Sequence, residues 1–128
     1  MKPEMMLLLW AVALAFAQAL IAVQGALMQV GLPMLAGNRE NMPVITGWAG
    51  RAARAHRNML ENLALFIPLI VICVLSGKTN AMTLLGAQLF LWARLIYVLV
   101  YLVGIPWLRT AIWGVSVIGM VLIFLQLI

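Results

Sequence analysis

The chain has 128 residues, of which 66% are hydrophobic and 9% charged. A soluble globular domain carries roughly 45–50% apolar and ~25% charged residues, so too little polar material is present here to coat a water-facing surface. With a mean hydropathy of +1.14, the composition excludes a soluble enzyme and a disordered tail alike and reads as an integral membrane protein.

Eight Lys/Arg against three Asp/Glu give a formal charge of +5. The basic residues sit at the ends of apolar segments and inside them, which marks membrane topology and argues against a nucleic-acid partner. The lone Cys73 lies in an apolar run, so no disulfide forms within the chain.

Crossing a bilayer takes about 20 apolar residues in a helix. No charge occurs from Met5 to Asn38, and a first helix is expected over about 5–32. Lys2 precedes this run and Ala15-Phe16-Ala17 could mimic a cleavage site. The run outlasts the ~7–15 residue core of a signal peptide, which favours a retained helix. Gln18, Gly25 and Gln29 share one face of it and are expected at a helix–helix contact on a subunit seam. Gly31, Pro33, Gly37, Pro43 and Gly47 then mark a loop over about 33–49.

A second helix is expected over about 50–75, a polar turn at Ser76–Asn80, a third helix over about 81–103 and, after Gly104-Ile105-Pro106, a fourth over about 107–126. The expected fold is all-α, a four-transmembrane-helix up-down bundle. Arg39, Arg51, Arg54, Arg57 and Arg109 lie on one side, against Lys2 and Lys78 on the other. The positive-inside rule then puts loops one and three in the cytoplasm.

The charge-free stretch from Asn62 to Gly77 is only 16 residues, so the second helix must carry Arg51 to Glu61 into the membrane. At ~100° per residue, Arg51, Arg54, Arg57, Asn58 and Glu61 fall within an arc of about 120°, with His56 on the other side. A charge at the bilayer centre costs at least about 2.5–3.5 kcal/mol, so this stripe should face protein or a wet cavity. Glu61 and Arg94 lie at the same depth, each ~15 Å below the Arg-rich interface, and are expected to pair. Tyr97 and Tyr101 climb from Arg94 toward the same mouth, where Arg109 and Thr110 begin the fourth helix. Five arginines against one carboxylate leave a positive excess suited to an anionic ligand. His56 has no second ligand at metal spacing and is expected to pack.

The block Arg51-Ala-Ala-Arg-Ala-His-Arg-Asn-Met-Leu-Glu61-Asn62, followed by Phe66 and Pro68, resembles the signature of the MAPEG family, the membrane-associated proteins in eicosanoid and glutathione metabolism. Gly37-Asn-Arg-Glu and Gly47-Trp-Ala-Gly are similar to its bacterial branch. Arg94, Tyr97, Tyr101, Arg109, Thr110 and Trp113 fall where that family has site residues of its third and fourth helices.

The resemblance implies a homotrimer in a bacterial inner membrane, with bent glutathione between neighbouring subunits near the cytoplasmic side. It implies that Arg54, Arg57, Asn58 and Glu61 hold the charged ends of the tripeptide, with Arg51, Arg94, Tyr97, Tyr101 and Trp113 in the same binding set. Arg109, helped by Thr110, would sit by the thiol. The implied function is a glutathione-dependent transferase or peroxidase acting on lipophilic electrophiles, and the alternative is a non-catalytic lipid-binding or scaffold member. Where the eicosanoid enzymes carry a basic residue at the end of the first helix, this chain offers Gln29, Gly31 and Pro33. A four-helix multidrug transporter matches in size, but it needs a carboxylate in the middle of its first helix, and that helix has none.

Overall fold

The computed structural model describes residues 1–128. Its elements are α1 (Pro3–Val30), α2 (Leu32–Ala36), α3 (Gly47–Leu75), α4 (Ala81–Val103) and α5 (Pro106–Leu127). Of these, α1, α3, α4 and α5 are long and apolar enough to cross a membrane. The chain is an all-helical integral membrane protein with four spanning helices.

Polar side chains at the two ends show how the helices alternate. Thr83 Oγ1 donates to Glu4 Oε2 at 3.2 Å, so α1 and α4 start at the same end. Asn80 Nδ2 donates to Gln126 Oε1 at 2.9 Å, which puts the end of α5 there too. At the opposite end Arg51 Nε donates to the Leu102 carbonyl at 3.0 Å, joining the start of α3 to the finish of α4.

The loop expected over 33–49 is not wholly irregular. Gly31 takes a left-handed backbone (φ 82°) that ends α1, and Pro33 then sits in the first turn of the short α2, where its fixed φ suits a helix start. α3 begins at Gly47, three residues ahead of the expected start.

The core lies where α3 and α4 meet. Phe66 stacks on Phe90 with ring centroids 3.8 Å apart, and Met59, Ile70, Ala87 and Ile123 are fully buried around them. α4 and α5 cross through Gly86 and Gly119, each lying against the other's backbone, the small-residue contact that lets membrane helices pack closely.

The expectation of a subunit seam on α1 is corrected by the structure. Gln18 and Gly25 are buried inside the protomer, and a Cβ on Gly25 would meet Ala49 Cβ of α3 at 2.5 Å. Gln29 Nε2 donates to the Thr46 carbonyl at 2.7 Å, and its Oε1 accepts from Thr46 N at 3.0 Å. This face is spent on α3 of the same chain, because Gly25 leaves room for the helix to close onto Ala49.

Asn80 starts α4. Its Oδ1 accepts from the backbone N–H groups of Met82 and Thr83, while Thr83 Oγ1 accepts from Asn80 N. This reciprocal cap satisfies donors that the helix itself cannot. Asn80→Ala is expected to lower stability by about 1–2 kcal/mol, read as a lower melting midpoint in detergent with unchanged helix content below the transition.

Candidate functional site

The site is built on the side of α3 that faces away from the core. Ala52, Ala55, Met59 and Phe66 mark the buried side, whereas Arg54, Arg57 and Glu61 on the opposite side are exposed on the protomer. The helical period alone produces this division, since the charged residues recur at three- and four-residue spacing.

These side chains open onto a cleft of about 320 Å³ between α3, α4 and α5, lined by Arg54, Arg57, Asn58, Glu61, Tyr97, Tyr101 and Arg109. α4 contributes Tyr97 and Tyr101, both nearly buried, with ring centroids 5.5 Å apart at 58°. Arg54 Nε donates to Tyr101 Oη at 3.2 Å. From the start of α5 the Arg109 guanidinium lies 4.6 Å above the Tyr101 ring. Tyr101 is thus held by a cation from either side, and its ring face in turn positions Arg109. Asn62 Nδ2 donates to the Asn58 carbonyl oxygen at 2.8 Å and to Asn58 Oδ1 at 3.2 Å. That orients the Asn58 amide and leaves its NH₂ group to donate.

The lining holds three guanidinium groups and one carboxylate. Arginine cannot be deprotonated in a protein, so the cleft keeps a positive excess. Planar guanidinium groups match carboxylates two bonds at a time. The arrangement therefore suits a small acid that also carries a cationic group for Glu61.

Other residues singled out from the sequence lie outside the lining. Arg51 ties α3 to the Leu102 carbonyl. Thr110 Oγ1 donates to the Pro106 carbonyl at 3.1 Å, which turns its hydroxyl back onto α5. Trp113 stands a turn further along α5 and is partly exposed. His56 is half-buried, with Nδ1 enclosed and unbonded.

The Glu61–Arg94 pair is not formed. Arg94 is fully buried, none of its three guanidinium nitrogens has a hydrogen-bond partner, and its charge sits 4.1 Å over the Tyr97 ring. The two residues share a depth but not a direction, because Arg94 centres the buried face of α4 while Glu61 is on the outward face of α3. Arg94 instead supports the cleft from beneath, through Tyr97.

No residue outside the expected set lines the cleft. What the sequence reading missed is a neighbouring groove on the α1 side of Arg54 and Arg57, lined also by Arg39. Its only sequence signal is a basic residue within the first loop.

Comparison with curated proteins and with solved structures finds no match. The MAPEG family model matches residues 5–128, taking in all four spanning helices and every residue of the cleft. That family includes glutathione transferases and peroxidases as well as non-catalytic members, and its members typically form homotrimers. Matched over essentially its whole length, the chain belongs to the MAPEG family.

Proposed function

We propose that the protein is a membrane-embedded, glutathione-dependent transferase or peroxidase that acts on lipophilic electrophiles and works as a homotrimer. The observation that carries this reading is the cleft itself: Arg54, Arg57 and Arg109 face one Glu61 beside an amide and two phenols. Glutathione has two carboxylates, one ammonium group and a thiol, and this donor set fits it. Arg54 and Arg57 suit the carboxylates, Glu61 suits the ammonium group, and Asn58 donates to a peptide carbonyl.

When bound, glutathione supplies a thiol whose deprotonated form is the nucleophile. A free thiol of pKa ~8.5 is mostly protonated at neutral pH. Arg109 stands at the cleft's edge as a fixed positive charge, and such a charge favours the thiolate. Tyr101 keeps the guanidinium in place while presenting its hydroxyl to Arg54.

The cost of the outward stripe supports assembly with further copies. Arg54, Arg57 and Glu61 lie on the protomer surface at membrane depth, where hydrocarbon would penalise each charge. A second copy laid against this face relieves that cost and encloses the ligand. Further along the same faces of α3 and α5, Leu65, Pro68, Ile72 and Phe124 line an apolar trough. It offers a lipophilic electrophile an approach from the bilayer.

A non-catalytic lipid-binding or scaffold role is the second reading. It is favoured by the Thr110 hydroxyl being committed to Pro106 and by Gln29, at the end of α1, being committed to Thr46. Turnover separates the two. The purified protein should conjugate glutathione to a chlorodinitrobenzene or reduce a lipid hydroperoxide at its expense. Binding of glutathione with neither reaction would assign the second role.

A further inference from the structure

Six enclosed side-chain nitrogen and oxygen atoms have no hydrogen-bond partner, and they belong to three residues: Gln18, His56 and Arg94. The three come from different helices yet gather at one level of the bundle. Gly25 of α1 closes onto Ala49 of α3. Two turns back along α1 and two turns on along α3, the antiparallel pair brings Gln18 level with His56. On α4, Val98 borders the same space as Gln18, and Arg94 stands one turn before it with its guanidinium carried over the Tyr97 ring.

Of the three, Gln18 faces a cavity. It is 3% exposed and lines a space of about 10 Å³ between α1, α3 and α4, together with Ile21, Ala52, Ala55, Val98 and Leu102. Every other side chain of that wall is apolar, so turning the amide within the cavity finds it no side-chain partner. Exchanging the amide oxygen with the nitrogen changes nothing either, because both are unbonded. Gln18 lies about 22 Å along α1 from its start at Pro3, out of reach of both membrane surfaces. Buried polar groups without partners are rare, and at that depth no bulk water relieves them. The cavity is about the smallest that admits a single water, and the helical carbonyls of its wall each keep a second lone pair.

We infer that one water molecule is bound in this cavity, held by the Gln18 amide and a helical carbonyl of the wall, as an integral part of the junction of α1 with α3 and α4. Ala55 separates it from Tyr97 and Tyr101, on which Ala55 packs, so the water fills the layer directly behind the tyrosine side of the cleft. None of the residues lining the cleft borders the cavity, and the inference does not depend on what the cleft binds. The site lies inside the protomer, so assembly with further copies leaves it intact.

Water-selective magnetisation transfer on the full detergent-solubilised chain, carrying isotope-labelled glutamine amides, tests it. The Gln18 NH₂ signal is identified by its loss in Gln18→Met. It should show a cross-peak to water whose sign differs between the laboratory and rotating frames, the mark of a long-lived bound molecule as opposed to proton exchange. A resolved Gln18 signal without that cross-peak would overturn the inference. The melting midpoint gives a second readout, because Gln18→Met keeps the length of the side chain and removes its polar atoms. With water bound, the change strands that water among apolar groups and should lower the midpoint by about 4 °C. Were the amide dry, the same change would remove an unsatisfied group and raise the midpoint, and such a rise would equally contradict the inference.

Discussion

Arg109→Ala is expected to abolish the ultraviolet thiolate band of bound glutathione and to slow turnover by about 10²–10³-fold, with a much smaller loss of affinity. The split arises because the carboxylates and ammonium group of the ligand are assigned to Arg54, Arg57 and Glu61, whereas Arg109 meets charge that develops at sulfur. A group that stabilises only the developing anion lowers kcat more than it raises KM. The fold should survive the change. Arg109 is half-buried at the first turn of α5 and its intramolecular contact is the Tyr101 ring, worth about 1 kcal/mol at a partly exposed site. Arg109→Lys keeps a charge but not the planar group that lies over Tyr101, and intermediate activity is expected. A normal thiolate band with Arg109→Ala would move the activation of the thiol to another residue.

The largest effect on folding is expected at the crossing of α4 and α5. A Cβ on Gly86 would stand 2.5 Å from the Gly119 carbonyl oxygen and 2.8 Å from Ile123 Cγ1. On Gly119 it would stand 2.5 Å from the Gly86 carbonyl oxygen. Backbone cannot step aside as a flexible side chain can, so Gly86→Leu must drive the helices apart. Overpacking commonly costs about 1–3 kcal/mol and sometimes more, and here it also breaks the packing of Phe90 and Ile123. We expect a loss of about 3 kcal/mol or more, read as a lower melting midpoint in detergent. Glutathione binding should fall with it, because α5 carries Arg109 to the cleft and α4 carries Tyr97 and Tyr101. Gly114→Ala is the control. A Cβ there meets nothing within 4 Å, and in a helix interior alanine is favoured over glycine. It should leave the midpoint unchanged or raise it.

The spans were legible because polar residues are scarce in this chain, so the Gly, Pro, Asn and Lys clusters between the apolar runs stand out as boundaries. The grouping of Arg54, Arg57, Asn58 and Glu61 followed from the helical period alone. Depth was legible as well, by counting residues, and it placed Glu61 level with Arg94. Direction across the bundle was not, because it depends on which face each helix gives to its neighbours. Arg94 therefore looked like the partner of Glu61, whereas it lies under Tyr97 on the other side of the packing boundary. The same gap explains Gln18, Gly25 and Gln29. Their shared face was clear from spacing, but whether it met the same chain or another depended on the Gly25–Ala49 approach. Gly86 and Gly119 were two glycines among ten until the register of α4 on α5 brought them together.

The central claim is that the cleft recognises a small acid through its arginines. Calorimetric titration of the detergent-solubilised protein with glutathione and with its diethyl ester tests it most directly, because the ester keeps the thiol, the ammonium group and the peptide bonds but loses both carboxylates. Hydrogen bonds to charged groups contribute about 1.5–3 kcal/mol each, so the ester should bind about 100-fold more weakly or not detectably. Equal affinity for the two would contradict the account.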